Sequence, residues 1–165
     1  MTVSDRWRSP LLPSLLALML GSGCAHTAIA GNAASNLEAR QQAFLAALSE
    51  RELDATMAHF ASDAVVHVAN MPAFVGEEAI RNLYRNVFRA IASADYIVAS
   101  TEMSASADLA YSHGAVTTVF RGPEGEMVFP GKFVLIWARR EGDWQLVHYG
   151  ISNNQGTAQG SAVNR

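Results

Sequence analysis

The sequence predicts an α+β fold, in which a cone-shaped, curved sheet of antiparallel and mixed strands wraps around about three helices. Apolar residues recur at helical spacing in three segments before Asp95, and long strand-like runs separated by turn signals follow it. Helices followed by a meander of strands is the order of an α+β domain rather than of alternating βαβ units. Hydrophobic residues make up 50% of the 165 residues and charged residues 16%, which is enough apolar material for one core.

Three helices are predicted in the first part of the chain. The first begins at SNLE, where Ser35 and Glu38 have the spacing of a capping box. A second, short helix precedes the segment ASDA, and His59 near its end is expected to be solvated. The third is EEAIRNLYRNVFRAI from Glu77, whose apolar residues form one stripe along a helix face.

The strands occupy the rest of the domain. AVVHVA is the first strand, and MPAFVG after it is a loop whose proline and glycine break regular structure. Turn signals separate four further strands, YIVASTEMSAS, DLAYSHGAVTTVF, EMVFPGKFVLIWAR and WQLVHYGIS.

The N-terminus has the features of an export signal. Arg6 and Arg8 precede the apolar run LLPSLLALML, which is too short to span a bilayer but suits the core of a signal peptide. LGSGCA resembles a bacterial lipobox in which Cys24 would be lipidated, whereas AIA at residues 28–30 is a site for ordinary cleavage. Both kinds of processing remain possible, so we expect an exported protein that is periplasmic, lipid-anchored to the cell envelope, or secreted.

The chain therefore divides into a signal and tether at residues 1–30, one folded domain at 35–154 and a disordered tail at 155–165. The net charge of −3 argues against nucleic acid as a partner, and membrane contact is expected only through a lipid anchor. The single cysteine rules out an internal disulfide and a thiolate metal cluster. The sequence has no dinucleotide fingerprint, P-loop or H-E-x-x-H motif, so no cofactor or metal is predicted.

Three segments carry a family resemblance. HFASDAVVHVANMPAFVGEEAI, SADLAYSHGAV and WARREGDWQLVHYGIS are similar, in this order, to segments of SnoaL-like domains in the nuclear transport factor two-like superfamily. The last of them is most similar to the closing strand of calmodulin-dependent kinase association domains. The resemblance covers residues 35–154 and implies a cone with a central pocket, and a homodimer formed through the outer face of the sheet.

The resemblance also tests one known mechanism of this superfamily. Ketosteroid isomerase uses an aspartate base with a tyrosine and a protonated acid as its oxyanion hole. Those positions would fall on Val68, on Phe44 and near Val134, all of which are apolar. Steroid isomerisation is therefore not expected.

The family register implies which strand residues face the pocket. It places Val68 inward, together with the polar residues Tyr111, His113, Lys132, Tyr149 and Asn153 of the later strands. The apolar walls would come from Phe44, Val68 and Phe74. The outer face would carry His67 and His148, with an apolar dimer interface formed by Trp137, Trp144 and Leu146. A shift of one residue would reverse these assignments.

Three functions follow from this pattern. The first is an exported pocket protein that binds a small apolar or weakly acidic molecule without the isomerase catalytic residues. The alternative is a cofactor-free isomerase, cyclase or dehydratase in which His113 acts as base or acid with Tyr149 or Lys132. A third, a homo-oligomeric assembly module, is implied by the likeness to the kinase association domain.

Overall fold

The computed structural model of the chain describes residues 23–123 and 125–154. The basic and apolar parts of the predicted signal and the predicted tail at 155–165 lie outside the described residues. Cys24 falls at the start of the first helix, and only the backbone is described there. No helix within the described ranges is long and apolar enough to cross a membrane.

The described residues contain three helices, as predicted: α1 (Gly23–Glu50), α2 (Leu53–Met57) and α3 (Gly76–Ala90). The capping box predicted at Ser35 is wrong, because α1 runs through this residue from Gly23. The Ser35 hydroxyl instead donates to the carbonyl of Asn32, 3.1 Å away within the helix. Two acidic residues in the first turn of α3 and Arg89 in its last turn suit the helix dipole.

Within the part of the chain that the structure describes, six strands form one sheet in the order β2-β1-β6-β5-β4-β3. Their bounds are β1 Phe60–Val68, β2 Phe74–Val75, β3 Ile91–Met103, β4 Leu109–Gly122, β5 Gly125–Arg140 and β6 Asp143–Asn153. Among these six strands the β1–β6 pair is parallel and the other pairs are antiparallel, which makes the sheet mixed. The sheet curls around α1 and α3 without closing, so the predicted α+β cone is confirmed.

The core lies between the concave inner face of the sheet and the helices. Phe44 of α1 is at its centre, with ring centroids 5.9 Å from Trp137 and 6.1 Å from Tyr149, both at right-angled, edge-to-face geometry. Each large apolar side chain buried in this way contributes roughly 1.5–3 kcal/mol. Aromatic residues of the inner face therefore hold α1 at Phe44, whereas α3 packs chiefly on β1, whose buried residues are small and aliphatic.

The predicted register of β4 and β5 is wrong by one residue. The buried inner-face residues of β4 include Ala110, Ser112 and Val116, and Phe133, Leu135 and Trp137 face them from β5. Ser112 ties this face of β4 to α1, because its hydroxyl donates a hydrogen bond to the Gln41 side chain. A tyrosine or histidine in this row would not fit beneath the helix.

A bulge interrupts the alternation of β6. Trp137 pairs with Leu146 and Ile136 pairs with His148, so Val147 is an extra residue between them. Trp144 and Leu146 before the bulge are buried, and so is Tyr149 after it. The Trp144 indole donates to the carbonyl of Ala33 at 3.0 Å. The predicted outer-face interface of Trp137, Trp144 and Leu146 is therefore wrong, because all three side chains lie in the core.

Candidate functional site

A cavity of about 470 Å³ occupies the open end of the cone, between α3 and the inner face of the sheet. We call it the cone cavity. Its walls are mostly aliphatic and aromatic: Leu48, Val66, Val68, Leu83, Tyr84, Val87, Phe88, Ile91, Ala94, Tyr96, Thr118, Phe120, Arg121, Met127, Phe129, Tyr149, Ile151 and Asn153. A concave, largely apolar space with a few polar groups is typical of a site for a small molecule.

Three tyrosines from separate elements meet at this cavity: Tyr84 of α3, Tyr96 of β3 and Tyr149 of β6. We call them the tyrosine cluster. The hydroxyl oxygens of Tyr96 and Tyr149 are 3.5 Å apart, which is long for a hydrogen bond between hydroxyls and therefore weak. The hydroxyl of Tyr84 is buried and has no hydrogen-bond partner within the described part of the chain. The cluster therefore has unused hydrogen-bonding capacity.

The surroundings keep these phenols protonated. Burial raises the pKa of Tyr84 and of Tyr149 well above the usual value near 10, and the neighbouring phenols raise it further. Burial also raises the pKa of Tyr96, against a smaller lowering by its contact with Tyr149. All three are O–H donors throughout the neutral range, and each is suited to an oxygen atom that accepts hydrogen bonds.

A positively charged side chain lies at the rim of the cavity. Arg121 is the charged residue in the described lining, and its side chain is exposed at the end of β4. One guanidinium nitrogen donates to the carbonyl of Ile91 at 2.8 Å, which fixes the side chain beside the opening. The other donors of a guanidinium remain suited to an anionic group. Asn153 adds an exposed amide on the β6 side of the lining.

The structure brings part of the predicted site together. Val68, Tyr149 and Asn153 line the cone cavity. Phe44 lies beneath the cavity, because it is fully buried against the Tyr149 ring and does not line the space. Phe74 on the short strand β2 packs against the edge of the core and is also outside the lining.

The predicted cavity positions of Tyr111, His113 and Lys132 are wrong. All three lie on the outer face of the sheet, the side away from the helices, because the inner positions of β4 and β5 belong to their neighbours. The rings of Tyr111 and His113 stack there with centroids 6.4 Å apart, and the Ser100 hydroxyl is 3.0 Å from His113 Nε2. His113 is therefore separated from Tyr149 by the sheet itself, which removes the geometry of the predicted catalytic pair.

Two members of the tyrosine cluster and Arg121 were not predicted as site residues. Tyr84 lies on the apolar stripe of α3, and a tyrosine on such a stripe is a signal that could have identified it. Tyr96 and Arg121 carry no comparable signal, because their positions depend on the register between β3 and β4. His59 also differs from expectation: it is buried, with its ring 5.6 Å from that of Phe44.

Sequence comparison assigns the fold to a family. The model of the SnoaL-like domain matches residues 42–147, well over half of the chain. The chain belongs to the SnoaL-like domain family. The match extends from α1 into the first half of β6 and ends before the cavity residues Tyr149, Ile151 and Asn153. A comparison with curated proteins gives no match.

Solved structures agree with this assignment. A ketosteroid isomerase-like protein from Erwinia carotovora atroseptica superposes with a TM-score of 0.67 at 21% identity, over 74% of this chain and 96% of that one. A protein with a cystatin-like fold from Caulobacter vibrioides gives 0.64 at 15% identity, over 75% and 91%. A hexachlorocyclohexane dehydrochlorinase gives 0.61 at 18% identity, over 81% and 90%. At these identities the structural likeness establishes the fold alone, and any chemistry of this SnoaL-like protein has to be inferred from its own residues.

Proposed function

We propose that this SnoaL-like protein is an exported pocket protein that binds a small apolar or weakly acidic molecule in the cone cavity. The observation that carries the proposal is the tyrosine cluster, whose Tyr84 hydroxyl is buried without a partner at the wall of an apolar cavity. An unpaired buried hydroxyl costs roughly 1–3 kcal/mol, and a ligand oxygen that accepts its hydrogen bond would recover part of that cost.

The ligand class follows from the walls. Most of the lining is hydrocarbon, so most of the ligand surface is apolar. Its polar part is an acceptor, a carbonyl, ether, phenolic or carboxyl oxygen, because the buried polar groups are protonated phenols. Arg121 at the rim favours a ligand that carries a partial or full negative charge at the end nearest the opening.

The proposal of export depends on the sequence before the folded domain. Arg6, Arg8 and the apolar run after them have the composition of a signal peptide. Intact-mass measurement on the protein from its native host distinguishes the two kinds of processing. A diacylglycerol adduct on Cys24 supports a lipoprotein, and an N-terminus at Gly31 supports ordinary cleavage. Full-length protein recovered from the cytoplasm would contradict both.

The proposed homodimer needs a different surface from the predicted one. The outer face exposes Ile97, Tyr111 and Val134 by 70%, 42% and 41%, and Tyr111 and Val134 alternate with buried residues on their strands. Exposed apolar side chains on a broad sheet are typical of an interface. We therefore propose that a second copy packs on this face, which leaves the cone cavity open.

Native mass spectrometry of protein purified from its own host tests the binding function directly. We expect a retained small molecule of mainly apolar character. A titration then locates it with a defined pair of probes: 2-naphthoate, which has an acceptor oxygen, and naphthalene, which has none. If neither probe binds and no molecule is retained, the proposed binding function is wrong.

Two adjacent residues supply a matched pair of variants. Tyr149 faces the cavity and His148 faces outward, so they differ in face but not in strand. Tyr149→Phe should weaken 2-naphthoate binding by about 0.5–1.5 kcal/mol, or roughly two- to twelvefold, because it removes one hydroxyl and keeps the ring. His148→Gln should leave that affinity unchanged. The reverse result would place the bound probe on the other face of the sheet.

A further inference from the structure

Two histidines meet on the outer face of the sheet, away from the cone cavity. His67 of β1 and His148 of β6 lie on neighbouring parallel strands, and their ring centroids are 4.8 Å apart at an interplanar angle of 69°. We call them the histidine pair. Their proximity follows from the register, in which Val65 pairs with His148 and His67 pairs with Gly150.

The His148 ring extends toward Gly150, which lies two residues further along the same strand. A Cβ atom at position 150 would be in ordinary van der Waals contact with His148 Nε2, at 3.9 Å. Because His67 is the cross-strand partner of Gly150, this direction places Nε2 of His148 on the His67 side.

From this geometry we propose that His67 and His148 bind one first-row transition-metal ion such as Zn²⁺, Ni²⁺ or Cu²⁺. Imidazole nitrogen is a preferred ligand of these ions and a poor one for Mg²⁺ or Ca²⁺. With metal–nitrogen bonds of about 2.0–2.1 Å, two histidines on one ion have nitrogens within about 4 Å of each other. Ring centroids 4.8 Å apart are close enough for one nitrogen of each ring to lie within that separation.

The surroundings of His148 are apolar. Val65 and Ile136 flank His148 on the adjacent strands, and His148 is half-buried among them. Its ring is therefore partly shielded from water, whereas His67 beside it is exposed.

The histidine pair supplies two ligands and leaves the other positions open. Within the described residues, no group of three or more His, Cys, Asp or Glu side chains gathers at one point. Water would complete the coordination in a single chain. If two copies pack through the outer face, a second histidine pair could approach the same ion, and four imidazoles would then give the tetrahedral set typical of closed zinc sites.

The test is a metal titration of the protein without an affinity tag, after dialysis against a chelator. Cu²⁺ is the probe, because its electron paramagnetic resonance spectrum reports directly bound nitrogen, and Zn²⁺ is titrated in parallel by calorimetry. We expect saturable binding with nitrogen couplings in the Cu²⁺ spectrum. The variants His67→Gln and His148→Gln should each weaken metal binding at least about tenfold. Loss of a group that only hydrogen-bonds to a metal ligand already costs roughly that much, and here a ligand itself is removed.

His113→Gln is the control, because His113 also lies on the outer face but hydrogen-bonds to Ser100. It should bind metal like the wild type. A stoichiometry of one ion per chain supports a site within one copy, and one ion per two chains supports a shared site that contains both pairs. Wild-type affinity in either His67→Gln or His148→Gln, with folding verified by circular dichroism, would overturn the proposal. So would the absence of nitrogen couplings in the wild type.

Discussion

Tyr84→Phe is expected to make the empty protein more stable and, at the same time, a weaker binder. The Tyr84 hydroxyl is buried against the cone cavity and has no partner among the described residues. Phenylalanine keeps the ring and its contacts with Phe60 and Phe88, whose centroids lie 5.8 and 5.4 Å from it. The substitution therefore removes the uncompensated polar group and little else.

The size of the effect follows from the cost of an unpaired hydroxyl. Burying such a group without a hydrogen bond costs roughly 1–3 kcal/mol, and the substitution removes this cost. The small space left by the missing oxygen loses packing contacts, which offsets part of the gain in stability. We expect a net gain of about 1 kcal/mol in the free energy of unfolding, which is roughly 3–5 °C in Tm for a domain of this size. Tyr149→Phe should show the opposite sign, with a loss of about 0.5 kcal/mol, because its hydroxyl has a partner in Tyr96.

Urea denaturation measures the first half of the prediction on protein that has been unfolded, dialysed and refolded to remove small molecules. Fluorescence titration with 2-naphthoate and naphthalene measures the second half. Tyr84→Phe should weaken 2-naphthoate binding about two- to twelvefold, as expected for one neutral hydrogen bond, and leave naphthalene binding unchanged. A loss of stability in Tyr84→Phe would refute the reasoning, because it would mean that the hydroxyl is already satisfied in the empty protein.

Three further predictions concern the core and the outer face. Burial and the nearby Arg40 lower the pKa of His59 to about 4 from 6.5. As the pH falls, the imidazole is therefore protonated in the unfolded chain before it is protonated in the folded one. The free energy of unfolding should decrease by about 2–3 kcal/mol between pH 6.5 and pH 4. Urea denaturation across this range should show a shallower fall in His59→Gln, and an equal fall would exclude His59 as the cause. By the same assay, Trp144→Ala should lower the free energy of unfolding by roughly 3–5 kcal/mol, because it leaves a cavity. Trp144→Phe should lower it by about 1–2 kcal/mol, because it loses chiefly the hydrogen bond to Ala33. Values near zero would mean that the indole is not in the core. In sedimentation at micromolar concentration we expect a homodimer that Val134→Arg converts to monomer, and a dimer that survives this charge would use another surface.

Much of the fold could be predicted because it depends on local patterns. The helical stripe from Glu77 and the strand runs separated by turn signals needed no knowledge of partners, and the structure contains each of them. The start of α1 was missed because Ser35 has a capping signal but lies inside a longer helix. Local propensity does not decide such a boundary when the residues before it are also compatible with a helix.

The candidate site was predicted less well, because it depends on register rather than on element type. One residue of shift in β4 and β5 exchanges Tyr111 and His113 with the buried Ser112. The register implied by the family resemblance overrode a local signal in β5, where the charged Lys132 lies on one face and the large apolar side chains of Phe133, Leu135 and Trp137 lie on the other. The observed setting also brings together residues 71 positions apart in sequence, because the Ser112 hydroxyl donates a hydrogen bond to Gln41 of α1. A residue as large as tyrosine in that row would push the helix off the sheet.

The bulge at Val147 explains why the last strand was predicted half correctly. Without an extra residue, Trp144 and Leu146 on one face would require Tyr149 on the other, so no regular strand could bury all three. The bulge allows the first half of β6 to contribute an indole and an aliphatic side chain to the core, and the second half to contribute Tyr149 to the cone cavity. It also turns His148 outward beside His67. Bulges commonly re-aim side chains next to functional sites, and here one irregularity sets the direction of both the cavity phenol and the outer-face imidazole.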